Sequence, residues 1–107
     1  MSVAIKSLAD GQLAVTKGTL YTTPTSTQTI IDRITLVNTS ASTIKVNLYF
    51  KASGGTSRRI IPKDMEFGGE YSAVIDDKLT LEAADIIEGD ATVASTIDYV
   101  ISGVENS

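Results

Sequence analysis

Cysteine, histidine and tryptophan are all absent from this chain, and each absence removes a class of chemistry. Without cysteine there is no disulfide framework, thiolate nucleophile or cysteine-based zinc site. Without histidine the chain lacks the side chain most used for acid–base catalysis near neutral pH, which is also the commonest transition-metal ligand. The sequence therefore predicts a protein that is not an enzyme, with no catalytic, cofactor-binding or metal-binding residues.

Basic charge and long apolar runs are also scarce. Lysine and arginine total 9 against 13 acidic residues, for a net charge of −4. Nucleic-acid binding requires a clustered basic face, so we expect no nucleic-acid partner. No apolar run approaches the ~20 residues of a membrane-spanning helix. Residues 1–8 lack the basic segment and apolar core of a secretory signal, so neither a membrane partner nor secretion is expected.

The chain does contain clear two-residue alternation. From Thr43 to Phe50 every even position is apolar, which is the period of a strand with one buried face. Ile30, Ile34 and Leu36 show the same spacing upstream, and residues 38–42 between the two segments have turn chemistry. The pattern predicts an antiparallel hairpin made of these two strands.

Eight or nine such short segments recur at spacings of ~8–12 residues, which is typical of a sandwich or barrel. The 107 residues are enough for one domain. We predict an all-β fold: a single antiparallel β-sandwich, jelly-roll or Ig-like, of about eight short strands at 10–107, preceded by an N-terminal arm at 1–9. Shared parity within the strands predicts one core that contains Ile34, Leu36, Val46, Leu48, Ile97 and Ile101.

Two segments are candidates for a protein interface. Arg58, Arg59 and Lys63 concentrate basic charge on an otherwise acidic chain. Three interpretations are open: these residues contact an acidic protein neighbour, contact nucleic acid, or form a solvated strand edge. Of the three, contact with nucleic acid is not expected. The N-terminal arm is the second candidate, with Ile5 and Leu8 as its apolar residues, because a free arm gains order by docking on a neighbour.

Acidic residues cluster toward the C-terminal half, at Asp76, Asp77, Asp85, Glu88 and Asp90. Calcium takes six to eight oxygen ligands and tolerates irregular loops, so a cation site is one interpretation. The spacing does not match an EF-hand loop. We therefore predict solvated turns and no metal.

Six motifs, taken in order, resemble a group of small virion structural proteins of tailed bacteriophages. The motifs are residues 9–13, 17–22, 34–40, 46–49, 57–63 and 98–105. The resemblance implies a β-sandwich and a non-enzymatic role, with capsid decoration of the outer head shell as the leading expectation and a neck, tail or fibre component as the alternative.

The same resemblance implies partners and a location. The partners would be other virion proteins, the major capsid protein first among them, together with further copies of the chain as a homo-oligomer. The location would be the virion, after synthesis in the host bacterial cytoplasm. A carbohydrate-binding module is the rival from another class, but such modules usually present exposed aromatic rings, and this chain has no tryptophan.

Overall fold

Two antiparallel sheets make up the structure, a computed structural model that describes residues 3–76 and 78–107. The described residues contain ten strands, two more than the approximate number predicted. These are β1 (Val3–Gln12), β2 (Gly18–Thr22), β3 (Gln28–Asn38), β4 (Ile44–Lys51), β5 (Ser57–Arg59), β6 (Met65–Phe67), β7 (Ser72–Ile75), β8 (Leu79–Leu81), β9 (Ile86–Ala91) and β10 (Ile97–Asn106). No helix long and apolar enough to cross a membrane occurs in these ranges.

The strand order is that of a jelly roll. Sheet 1 runs β1-β10-β3-β7, with β8 also paired to β3, and sheet 2 runs β2-β9-β4-β5, with β6 also paired to β4. Near both ends of the sequence, consecutive strands therefore lie in alternate sheets, as in a jelly roll built from two Greek keys. The predicted all-β sandwich is confirmed, and the topology resolves the alternative between jelly-roll and Ig-like order.

The predicted hairpin is wrong. The strands β3 and β4 lie in different sheets, so residues 39–43 form an arch across the sandwich. The hairpin partner of β4 is β5, reached through the turn at residues 52–56, in which Gly54 has a φ of 71°. Alternation reports which face of a strand is buried, and both strands do bury one face. It does not report the pairing partner, because an arch and a hairpin bury the same side chains.

A buried amide holds the arch closed. The Asn38 side chain has no exposed surface. Its Nδ2 donates to the backbone carbonyls of Ser42 at 2.7 Å, Phe67 at 3.0 Å and Gly68 at 3.0 Å. Its Oδ1 accepts from the backbone N of Ser40 at 2.9 Å and from its hydroxyl at 2.8 Å. One side chain thus joins the arch to the segment around β6.

The core matches the predicted set. Every one of the six predicted residues is at most 1% exposed: Ile34, Leu36, Val46, Leu48, Ile97 and Ile101. Phe67, which is also fully buried, lies on β6 and is not among the six predicted core residues. Its strand has only three residues, too short for alternation to be recognised.

A β-bulge reverses the parity of β3. Ser102 pairs with Arg33 and Gly103 pairs with Ile31, so Asp32 is an extra residue on β3. Odd positions face the core before the bulge and even positions after it. Ile30, predicted to share a face with Ile34, is therefore 45% exposed on the outer face of sheet 1.

Gly103 is required by this bulge. A Cβ at this position would lie 2.1 Å from the carbonyl oxygen of Ile30, which is backbone and cannot rotate away. We expect Gly103→Ala to destabilise the fold by about 1–3 kcal/mol, the usual cost of overpacking. Gly68→Ala is the matched control, since a Cβ there meets no atom within 4 Å. Urea unfolding would measure both variants, and equal stability of the two would contradict the close approach at the bulge.

The predicted N-terminal arm is a strand in the structure. From Val3 onward, residues 3–9 belong to β1, which pairs with β10 as far as Gln12. The boundary predicted at residue 9 therefore falls inside a strand, while Met1 and Ser2 lie outside the described residues. Hydrogen bonding to β10 satisfies backbone groups that a detached arm would leave to water.

A polar clamp connects the two sheets at the end of β10. The Tyr21 hydroxyl, on β2, donates to Glu105 Oε2 on β10 at 2.7 Å, and Lys6 Nζ lies 3.0 Å from Glu105 Oε1. The Tyr21 hydroxyl also lies 2.8 Å from Thr29 Oγ1. The hydrogen bond from Tyr21, followed by that from Lys6, lowers the pKa of Glu105. Burial raises the pKa of Tyr21 to about 12, although the Thr29 hydrogen bond opposes the shift.

The clamp predicts sensitivity to alkali. Tyrosine ionises near pH 10 in the unfolded chain, so a pKa of about 12 in the folded protein means that Tyr21 contributes stability below pH 10 and loses it as the pH rises toward 12. We expect the free energy of unfolding of the wild-type protein to fall by about 2–3 kcal/mol over this pH range because of Tyr21, and we expect Tyr21→Phe to lack this decrease. Urea unfolding between pH 8 and pH 12 would measure the slope of the unfolding free energy against pH. Tyr71→Phe is the control, because its ring is half exposed; identical slopes in wild type and Tyr21→Phe would contradict the assignment.

Candidate functional site

A network of hydrogen-bonded polar side chains lies on the outer face of sheet 2. Arg59, on β5, donates from Nη1 to Asn47 Oδ1 at 2.6 Å, and its guanidinium carbon lies 5.0 Å from the centre of the Tyr49 ring. Tyr49 and Arg59 are paired across β4 and β5, so they share a face. Arg59 is thus tied to the sheet by a hydrogen bond and by a cation–π contact.

Asn47 is the centre of this group. The residue is only 6% exposed, and its Nδ2 donates to Asp64 Oδ1 at 3.0 Å and to Asp90 Oδ1 at 2.9 Å. Its Oδ1 also accepts from the backbone N of Asp64 at 2.9 Å. Asp64 has a φ of 53°, a left-handed conformation that aspartate tolerates better than most residues. The loop after Pro62 is therefore held on the sheet by Asn47.

A second cation covers the same tyrosine. Lys17 Nζ lies 4.8 Å from the centre of the Tyr49 ring and donates to Ser57 Oγ at 3.2 Å. The Ser57 hydroxyl donates to Glu88 Oε1 at 2.6 Å, and the Tyr49 hydroxyl donates to Asp90 Oδ2 at 3.3 Å. Burial, followed by the Asp90 charge, raises the pKa of Tyr49. These contacts connect three strands, β4, β5 and β9, with the loops that carry Lys17 and Asp64.

The structure separates the two arginines of the predicted interface. Arg59 pairs with Tyr49, whereas Arg58 pairs with Phe50, so successive side chains point to opposite faces of β5. Arg58 is exposed, and Lys63 is exposed in the loop between β5 and β6. Arg58, Arg59 and Lys63 are all exposed and remain predicted interface residues, and Arg59 also has a structural role that its sequence position does not indicate.

This difference predicts unequal effects of charge reversal. We expect Arg58→Glu to change stability by no more than about 0.5 kcal/mol, as at an ordinary surface position. Arg59→Glu should cost about 1–3 kcal/mol, because it places a carboxylate against Asn47 Oδ1 and beside Asp64 and Asp90. Urea unfolding of the two variants in parallel measures the difference. Equal losses would show that the Asn47 contact contributes nothing.

The other predicted interface residues lie on sheet 1 and behave differently from each other. Leu8 stands at a register shift of β1 and packs partly against the core. Ile5 is 89% exposed on the outer face, where it is paired with Val104. An open groove of about 420 Å³ lies beside Ile5, Val104 and Ile30. The basic and apolar candidates therefore belong to different sheets.

The acidic residues are distributed rather than gathered. Asp85 accepts from the backbone N of Ser53 and of Glu82, each at 2.9 Å, and so fixes the turn before β9. Glu88 and Asp90 belong to the polar group on sheet 2, and Asp77 lies outside the described residues. Within the described ranges, no three acidic residues lie close enough together to hold a metal ion.

Asn38, Asn47 and Asp85 organise the loops, although the sequence does not mark them as functional residues. Residues 38–40 did carry a signal, because an Asx residue followed by small polar residues is typical of a turn that the side chain itself closes. Asn47 offered none, since its position in a strand predicts a solvated outer face. Its partners come from three other segments and are brought to it only by folding.

Known structures share the β-sandwich architecture of this chain. No protein-family model and no curated protein sequence matches the chain. A chain of the Bacillus endospore appendages, which form disulfide-linked pili, is 17% identical, with a TM-score of 0.58 over 99% of this chain and 88% of that one. A chain in the structure of infectious bursal disease virus, Gx strain, is 12% identical, with a TM-score of 0.53 over 97% of this chain but only 32% of its own length. These likenesses show a common β-sandwich fold, and they do not single out the tailed-phage group that the sequence resembles.

Proposed function

We propose that the protein is a non-enzymatic structural subunit of a tailed-bacteriophage particle that decorates the outside of the head shell. The observation that carries the proposal is the use of the buried polar side chains: Asn38, Asn47 and Asp85 all bond to the backbone or side chains of the fold itself. Such a molecule offers its surroundings a rigid shape, strand edges and exposed charges. Repeated contacts in an assembly need these properties and no reactive group.

The fold supports the same class of function. Two of the structurally similar chains come from a disulfide-linked pilus and from a virus. The resemblance of six ordered motifs to tailed-phage virion proteins makes the phage particle the specific proposal. A position in the neck, tail or fibre is the alternative within this class.

The rival carbohydrate-binding function is less well supported. Sugar binding by stacking needs an accessible aromatic face. The Tyr49 ring carries Lys17 and Arg59 at 4.8 and 5.0 Å, and Tyr21 and Tyr99 are less than 10% exposed. Tyr71 is half exposed, but its ring packs edge-on against Phe67, with 5.4 Å between the ring centres. Of these four tyrosines only Tyr71 has an exposed side chain, so sugar stacking would depend on that single ring.

Quantitative mass spectrometry of gradient-purified particles tests the proposal. Decoration of a shell with many equivalent positions predicts copy numbers on the order of hundreds, whereas a neck or tail ring predicts about a dozen or fewer. A low copy number would transfer the proposal to the alternative position. Absence of the protein from purified particles would contradict the proposal as a whole.

The predicted basic contact can be tested in the same particles. We propose that Arg58 and Lys63 face an acidic surface of the major capsid protein, since opposite potentials steer association and fix its register. The variant Arg58→Glu with Lys63→Glu should fold normally and be incorporated less than wild type, and wild-type binding should weaken with salt. Sparing Arg59 keeps the sheet 2 contacts intact. Wild-type occupancy of this variant, measured by gel densitometry, would remove the segment from the interface.

A further inference from the structure

The strand β1 forms a long edge of sheet 1. β1 pairs with β10 on one side, and no other strand of the described residues pairs with it on the opposite side. Strands at sheet edges present unpaired backbone N–H and C=O groups that can pair with another chain. At ten residues, this edge is far longer than the short edge strands by which proteins usually avoid such pairing.

The two halves of β1 differ in how the edge is protected. A register shift between Ser7 and Ala9 interrupts the C-terminal half, and Asp10 adds a charge beyond it. Bulges and charges are the usual devices against edge pairing. From Val3 to Ser7 there is no register shift, and the only charge, Lys6, lies 3.0 Å from Glu105 of the same sheet. The N-terminal half of β1 therefore has a regular pairing register, and the charge of its lysine is neutralised by Glu105.

An apolar row ends at this unprotected segment. Ile5 is paired with Val104, and Val104 is paired with Ile30, so the three side chains lie side by side on the outer face of sheet 1. Ile5 is 89% exposed and Ile30 is 45% exposed. Neighbouring strands are about 4.8 Å apart, so a further strand beyond β1 would continue the row.

We propose that two copies of the chain pair antiparallel through residues 3–7, about a two-fold axis at Ile5. Ile5 then faces Ile5 of the second copy, Val3 faces Ser7, and Ala4 faces Lys6. A shift by one residue would set outward side chains of one copy against inward side chains of the other. In the proposed register the apolar row continues across both molecules, with Ile30, Val104 and Ile5 followed by the same three in reverse order.

The interaction is a weak one in isolation. Five residues on each side bury much less than the roughly 1,200 Å² at the lower end of stable interfaces, so dimers should dissociate on dilution. In an assembly the neighbouring subunits hold each other at high effective concentration, and weak contacts then add up. The biological use of the pairing rests on the proposed structural role, but the pairing itself is a property of the purified protein.

Engineered cysteines give a direct test, because the natural chain contains none. Residues directly opposite in an antiparallel pair have Cβ atoms about 4.5–5.5 Å apart, close to the distance that a disulfide spans. We expect Ile5→Cys to form covalent dimers under mild oxidation at least ten times faster than Val100→Cys. Val100 is the matched control, since it lies on the same outer face, is 45% exposed, and is away from the free edge. Ala4→Cys, which faces Lys6 in the proposed register, should also be slow.

Sedimentation velocity supplies a second readout that does not depend on oxidation. We expect the wild-type protein to self-associate at high concentration, Ile5→Lys to remain monomeric, and Val100→Lys to behave like wild type. Cross-linking at Ile5 no faster than at Val100 or Ala4, or unchanged association of Ile5→Lys, would overturn the pairing. These outcomes are separate from the particle measurement, because a protein absent from particles could still pair through Ile5, and a particle component could lack the pairing.

Discussion

Asn38→Asp is expected to destabilise the protein by about 3–5 kcal/mol at pH 7, the cost of an uncompensated buried charge. The change replaces an amide that donates to the carbonyls of Ser42, Phe67 and Gly68 by a carboxylate that repels all three. The position has no exposed surface, so water cannot solvate the new charge. Urea unfolding at fixed pH would measure the loss.

The pH dependence of the stability of Asn38→Asp distinguishes the effect of the buried charge from the effect of the altered side chain. Burial among carbonyl oxygens raises the pKa of the new carboxyl above its unfolded value, so the variant loses stability as the pH rises through that pKa. The difference in unfolding free energy between Asn38→Asp and wild type should therefore be smaller at pH 4 than at pH 7. Thr39→Asp, on the adjacent exposed residue, is the control and should show only a small change. A gap that does not depend on pH would show that the charge is not the cause.

Leu48→Ala is expected to cost about 2–5 kcal/mol, the range for large-to-small changes in a packed core. Leu48 is fully buried on β4, between Val46 and the partly buried Phe50 on the same face. Its β9 partner is Gly89, which has no side chain that could move into the cavity. The loss would be measured as a shift of the urea midpoint at constant slope.

The companion variant for this prediction is Val100→Ala, since Val100 is a β-branched residue of the neighbouring sheet but is 45% exposed. It should lose no more than about 1 kcal/mol, because removing methyl groups that water already reaches creates no closed cavity. A loss below about 0.5 kcal/mol for Leu48→Ala, the level of an ordinary surface change, would show that the register of β4 is wrong.

The extent to which the sequence predicted this fold differs between local and long-range features. Alternation correctly assigned Val46, Leu48 and Ile97 to the core, because each strand must bury one face whatever its partner. The same alternation misplaced Ile30, since a bulge at Asp32 has no signature in β3 itself. The glycine that permits the bulge, Gly103, lies about seventy residues further along the chain.

The candidate site was predicted only in part. The sequence correctly marked Arg58, Arg59 and Lys63 as exposed charges, but it did not indicate that Arg59 also makes a structural contact. Arg59 bonds to Asn47, and nothing in the local sequence distinguishes it from its neighbour. Its orientation depends on pairing with Tyr49, and that pairing exists only once the hairpin of β4 and β5 has formed.

The sequence by itself determined the class of fold, the buried faces of the main strands and the lack of cysteine and histidine chemistry. These properties depend on residue type and on a two-residue period, both of which are local. Only the tertiary structure decided that β3 and β4 form an arch, that β1 is a free edge paired with β10, and that Asn38 and Asn47 hold the loops. Each of these features depends on contacts between residues far apart in the chain, where many pairings are compatible with the same alternation and packing selects one of them.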